Sequence, residues 1–120
     1  MRRRRILAVA AVLALAIAAV TAVAVQAAST VHLKSRAHAL AFNVTTLRAT
    51  HGKVTLVMQN VSSTRHGIAV EGHGVDKDGK IVGKGKSSTI TVTLKKGTYT
   101  FYCPVPGHRA AGMKGKLIVR

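Results

Sequence analysis

The chain has 120 residues, with 19 Lys and Arg against 3 Asp and Glu, a formal charge of +16, and a single cysteine that excludes any intramolecular disulfide. This length builds one hydrophobic core, and so few acids supply neither a Ser/His/Asp set nor paired catalytic carboxylates, so no enzyme is expected. With two Phe, two Tyr, no Trp and scattered lysines, it also lacks the stacking pattern of a nucleic-acid binder.

Residues 2–5 are four consecutive arginines, and residues 6–25 form an apolar run broken only by Thr21. A basic flank before an apolar stretch reads as a signal peptide or a membrane anchor, assigned to residues 1–27. Small residues up to Ala27 suit cleavage, whereas the length of the run suits a retained helix of about 20 residues. Either way the arginines stay on the cytoplasmic side, and the remainder is extracytoplasmic, membrane-anchored or else secreted or periplasmic. Setting those four arginines aside leaves 15 basic residues against 3 acidic ones, a formal charge of +12. Such a surface suits an acidic redox partner, an acidic cell-wall polymer or an anionic membrane surface. If uncleaved, residues 6–25 add a membrane attachment of their own.

Residues 28–37 are polar, lack a sustained period and read as a linker, which places the folded domain at residues 38–120. Leu40, Phe42 and Val44 alternate with polar or small residues, and after a turn at His51-Gly52-Lys53 the alternation returns as Val54, Leu56 and Met58; both read as strands. Residues 60–65 form a polar turn and residues 66–70 regain strand character. Residues 71–86 read as a long Gly- and Lys-rich loop with a short strand at 80–82. Asp76-Lys77-Asp78-Gly79-Lys80 resembles the start of a calcium loop, but Ser87 stands where the bidentate Glu is needed, so it is read as a turn. Ile90, Val92 and Leu94 mark the next strand, Lys96-Gly97 a turn, and Tyr99, Phe101 and Cys103 one face of the strand after it. Residues 116–119 close the domain. About seven short strands, with no amphipathic helix after the leader, predict an all-β fold, an antiparallel β-sandwich.

Chemistry concentrates between Cys103 and Met113, where thiol, imidazole and thioether follow at two spacings of five, Cys103, His108 and Met113. These are soft ligands. A thiolate and two imidazoles in a plane, with a weak axial Met, make a blue-copper electron-transfer site. Pro104, Pro106, Gly107 and Gly112 let the chain wrap around one ion while limiting its freedom. The second imidazole comes from elsewhere: His66 opens a strand after a polar turn, and His73, between two glycines, is the weaker competitor because a metal ligand is better held on a rigid element. A lone Cys is otherwise a small buried hydrophobe, and Met113 is otherwise a gap filler. His32, His38 and His51 need no role beyond solvent exposure.

The segments Ser63-Thr64-Arg65-His66-Gly67-Ile68-Ala69-Val70-Glu71-Gly72 and Gly97-Thr98-Tyr99-Thr100-Phe101-Tyr102-Cys103, with the loop to Met113, resemble the plastocyanin and azurin family of cupredoxins over residues 38–120. The resemblance implies a Greek-key β-sandwich and one mononuclear copper, cycling between Cu(I) and Cu(II), held by His66, Cys103, His108 and Met113. Cys to His is spaced as in azurins and His to Met as in plastocyanins. Gly67 replaces the family's usual Asn, whose side chain ties the two ligand loops together, and Arg65 replaces a frequent Pro. The function expected is that of an exported one-electron carrier. The alternatives are a copper sequestration or delivery protein with no redox partner, and a basic adhesion module in which Cys103 is merely buried. Lys84, Lys86, Lys95 and Lys96 are read as a solvated face able to dock an acidic partner.

Overall fold

The computed structural model describes residue 11, residues 14–19 and residues 28–120. The leader helix expected over residues 6–25 lies outside the described residues except at 11 and 14–19, which form no regular element and expose Leu15 and Ile17. Among the described residues no helix is long and apolar enough to cross a membrane.

Among the described residues eight strands follow in order: β1 (Ala28–Lys34), β2 (Thr46–Ala49), β3 (Gly52–Gln59), β4 (Ala69–Gly72), β5 (Val75–Asp78), β6 (Ser87–Leu94), β7 (Gly97–Tyr102) and β8 (Lys114–Val119). They form a three-stranded sheet, β1-β3-β6, and a five-stranded sheet, β2-β8-β7-β4-β5. The fold is all-β, as expected. Its strands are not all antiparallel, because β1 runs parallel to β3 and β2 parallel to β8. The cause is the crossing of the chain between sheets: β1 and β3 share one sheet while β2, between them in sequence, belongs to the other.

Period-2 patterning explains the core. Val54, Leu56 and Met58 of β3 and Ile90 and Leu94 of β6 face inward from one sheet; Leu47, Val70, Tyr99, Phe101, Leu117 and Val119 face them from the other. Burying each such aliphatic or aromatic side chain contributes about 1.5–3 kcal/mol.

Five expectations need correction. Residues 28–37 are not a linker, since β1 pairs with β3 along its whole length, from Ala28 against Lys53 to Lys34 against Gln59. Ser29, Val31 and Leu33 supply the inward face, and only Leu33 is fully covered, so the apolar signal was too short to register. The strand expected at Leu40, Phe42 and Val44 is instead an irregular crossing between sheets. Phe42 makes an isolated bridge to Ser35 and drops its ring into the core, 5.6 Å from that of Phe101, while Leu40 stays exposed. The segment around Asp76-Lys77-Asp78 is not a turn but β5, hairpinned onto β4 with Ala69 opposite Asp78. The strand expected at residues 80–82 reduces to a bridge between Val82 and His66. The four lysines do not form one face either. Lys86 precedes β6 and Lys95 follows it, and eight residues of strand separate them by roughly 25 Å.

Candidate metal centre

Cys103 follows β7 directly and continues the inward face of Tyr99 and Phe101, with 1% of its surface exposed. Beyond it the chain leaves the sheet through Pro104 and turns over residues 106–112. Gly107 and Gly112 carry φ of 84° and 108°, left-handed conformations in which glycine is unstrained. The turn is closed by its own backbone: the His108 N–H donates to Val105 O, the Met113 N–H to His108 O and the Cys103 N–H to Met113 O, each at 3.1 Å. This brings Met113 back beside Cys103, fully buried in the same core cluster.

His66 reaches the site along a different route. Its N–H donates to Val82 O and its O accepts from the Val82 N–H, at 3.2 and 2.8 Å. Asn60 anchors the turn before it. Fully buried, Asn60 donates through Nδ2 to Thr64 O and Val82 O, both at 2.9 Å, and accepts at Oδ1 from Ser35 Oγ and the Ser62 N–H at 2.8 and 3.0 Å. Sequence reading missed Asn60 and Ser35. An Asn opening a polar turn looks solvent-facing, and only the partners brought from residues 35 and 82 reveal it as buried.

His66, Cys103 and His108 converge. The separations are 3.2 Å from His66 Nδ1 to His108 Nδ1, 3.6 Å from Cys103 Sγ to His108 Nδ1 and 3.8 Å from Cys103 Sγ to His66 Nδ1. A point equidistant from three atoms so spaced lies about 2 Å from each, close to the bond lengths of nitrogen and sulfur to a first-row metal. His66 turns Nδ1 to the sulfur and to His108, and its Nε2 is left buried without a hydrogen-bond partner. Burial, and then the neighbouring His108, hold the His66 pKa below the usual histidine value, which keeps the ring neutral and able to ligate. One thiolate, two imidazoles and a nearby thioether fit a mononuclear type 1 copper site. His73 is remote from the triangle: it has φ of 49° and its ring lies 5.0 Å from that of Tyr99, edge-on.

Two neighbours shape the site. The Gly67 N–H donates to Cys103 Sγ at 3.5 Å, placing the positive end of a peptide dipole against the sulfur. A Cβ at Gly67 would stand 3.0 Å from Lys80 O and 3.2 Å from Pro104 Cγ, so the proline occupies the space that a side chain would need. On the outer side, Arg109 is ion-paired with Glu71 and lies over the Tyr102 ring, 4.2 Å from its centroid. The Tyr102 hydroxyl donates to Asp76 and Asp78 carboxylates, each at 3.3 Å. Burial, then the charges of Asp78, Asp76 and Glu71, push the Tyr102 pKa up to about 12, while the hydrogen bond from Arg109 holds Glu71 below the usual carboxylate value.

A sequence model of copper binding proteins of the plastocyanin/azurin family matches residues 17–120. Among solved structures, reduced auracyanin from the photosynthetic bacterium Roseiflexus castenholzii is 27% identical with a TM-score of 0.69, over 78% of this chain and 99% of that one. Auracyanin A, a blue copper protein of the green thermophilic bacterium Chloroflexus aurantiacus, is 25% identical with a TM-score of 0.66, over 78% and 100%. Auracyanin B is 26% identical with a TM-score of 0.67, over 80% and 91%.

Proposed function

Because the chain belongs to the plastocyanin/azurin family of copper-binding proteins, we propose that it is an exported one-electron carrier whose copper is held by His66, Cys103 and His108, with Met113 as axial ligand. The observation that carries this reading is the triangle of donor atoms, whose sides of 3.2, 3.6 and 3.8 Å leave room for one ion. Copper, when bound, supplies the one-electron couple between Cu(I) and Cu(II). The residues supply the rest. Cys103 and His66 are buried and exclude water, and the Gly67 N–H stabilises the thiolate without adding a proton to it. The bonds around Asn60 hold His66 in place, so the donor set suffers little rearrangement when its charge changes. His108 alone of the three is only half-buried, so its ring edge is the point where an electron crosses to a partner. Residues 2–25 support export, with residues 6–25 holding the carrier at the outer membrane face where they are retained.

Titration with Cu(II), read by visible absorption and electron paramagnetic resonance, tests the site. An intense thiolate-to-copper band lost in Cys103→Ala is the expected result; weak absorption indifferent to that substitution sinks it. Electron self-exchange then tests the carrier role, which requires a fast rate where a storage protein does not.

A further inference from the structure

The sandwich has two unlike ends. One gathers Asn60, His66, Val82 and residues 103–113 around the metal centre. At the other, Ala28 pairs with Lys53, Gly52 with Leu94 and Gly97 with Val119, and the His51 N–H donates to Arg120 O and the Arg120 N–H to Ala49 O. This far pole carries Arg48, Lys53, Lys95, Lys96 and Arg120, all exposed.

The chain's three acidic side chains, Glu71, Asp76 and Asp78, lie on the β4–β5 hairpin instead. There they engage Arg109 and Tyr102, next to the ligands His108 and Cys103. The metal-bearing half carries basic residues as well, among them Lys34, Arg36, Arg65, Lys84 and Lys86, but it also holds all three acids. The far pole has no acidic side chain, so even a terminal carboxylate on Arg120 leaves it strongly positive.

A cleft of about 300 Å³ opens at this pole, lined by Ser29, Arg48, Thr50 and Arg120 with Ala49 and Ile118. Arg48 and Arg120 beside the Thr50 hydroxyl offer phosphate-binding chemistry, since a guanidinium fork matches two phosphate oxygens at once, while the Ser29 hydroxyl is bonded to the Thr50 backbone and holds the cleft's wall together. The cleft also adjoins the start of the domain. β1 begins at Ala28, three positions after the apolar run ends at Val25, and three fully extended residues reach at most about 11 Å. No spacer stands between that run and the basic pole.

We propose that this pole docks on an anionic phospholipid surface, its headgroup phosphates taken by the cleft of Ser29, Arg48, Thr50 and Arg120, so that the metal-bearing end and His108 face away from the membrane. The proposal rests on reading residues 6–25 as bringing the chain to the outer membrane face, and it deepens that reading by naming the surface that meets the lipid. A basic pole free of acids and the chain attachment then act together, because both turn the same end of the sandwich downward.

The full chain is mixed with vesicles of phosphatidylcholine alone, or of phosphatidylcholine with phosphatidylglycerol, at low salt, and amide hydrogen exchange is followed. Phosphatidylglycerol should slow exchange several-fold at residues 28–30, 49–53 and 95–97 and leave residues 104–112 unchanged. High salt should reverse the protection. Reversing the charge at Arg48 and Arg120, or in a second variant at Lys95 and Lys96, should weaken the lipid-dependent binding by roughly fivefold per charge removed or more, with the thiolate-to-copper band reporting that each variant folds. Equal exchange in both vesicles, or protection of residues 104–112 instead, overturns the proposal. So does equal protection by inorganic phosphate added to neutral vesicles, which makes the cleft a soluble-anion site. Sedimentation with neutral vesicles reads the anchor separately: a chain that fails to sediment there refutes the anchor, while the phosphatidylglycerol effect still decides the fate of the pole.

Discussion

Two segments bring an imidazole to the same point by different physical means. The turn before His66 is interior structure. Asn60 is 0% exposed, its amide group makes four hydrogen bonds, and two of these reach residues 25 and 22 positions away. The turn carrying His108 lies at the surface, is closed by bonds among residues 103–113, and depends on two glycines in left-handed conformations. The first imidazole is therefore held by buried bonds from distant parts of the fold, and the second by its own short loop with one outer tie, from Arg109 to Glu71. A carrier gains from that division: the buried side resists rearrangement, and the outer side lets a partner approach.

Asn60→Ala is the severest test of the contrast. It strips partners from Ser35, Ser62, Thr64 and Val82 at once, and stranding buried polar groups of this kind costs about 3 kcal/mol or more. Denaturant unfolding of the metal-free chain should show that loss, and the thiolate-to-copper band should broaden or weaken as His66 loses its register. A wild-type midpoint would mean that the buried network does not hold the ligand.

Met113→Leu separates packing from ligation. The substitution conserves volume, so stability should fall by less than about 1.5 kcal/mol, whereas the position of the visible band should move. An unmoved spectrum would return Met113 to the core alone. His108→Ala sharpens the other side of the comparison. A half-buried side chain on a turn closed mainly by its own backbone should cost less than about 1 kcal/mol in the metal-free chain, yet the visible band should disappear; a large loss of stability would show that this turn, too, is bound into the fold.

The smallest expected effect is one of pH. The folded-state pKa of His66 is lowered, so the unfolded chain binds that proton more readily than the native one. Stability of the metal-free chain from this group is then fully present above the unfolded value of about 6.5, begins to fall below it, and is lost as pH falls through the lowered folded value. Unfolding midpoints measured from neutral to acid pH should decline across that window and level out above it. Replacing His66 with Gln should flatten the decline.

The chemistry was more legible than the architecture. Cys103, His108 and Met113 sit within eleven residues, so their convergence was readable from spacing and from the ligand softness of each atom. His66 could be ranked above His73 by its place at the start of an ordered segment. The alternation of Val54, Leu56 and Met58, of Ile90 and Leu94, and of Tyr99 and Phe101 determined an all-β core, because side chains two apart share a face whatever the strand pairs with. The rest depended on partners distant in sequence, which a local pattern does not encode. Only the tertiary structure decided that Ala28–Lys34 is a strand, since its inward face needs β3 to have meaning, that Asn60 is buried rather than solvated, and that Pro104 fills the space beside Gly67. It likewise decided that the three acids stand near the metal centre while Arg48, Lys95, Lys96 and Arg120 gather at the opposite end. Composition counts charges along the chain, and the pairing of strands determines which of them become neighbours.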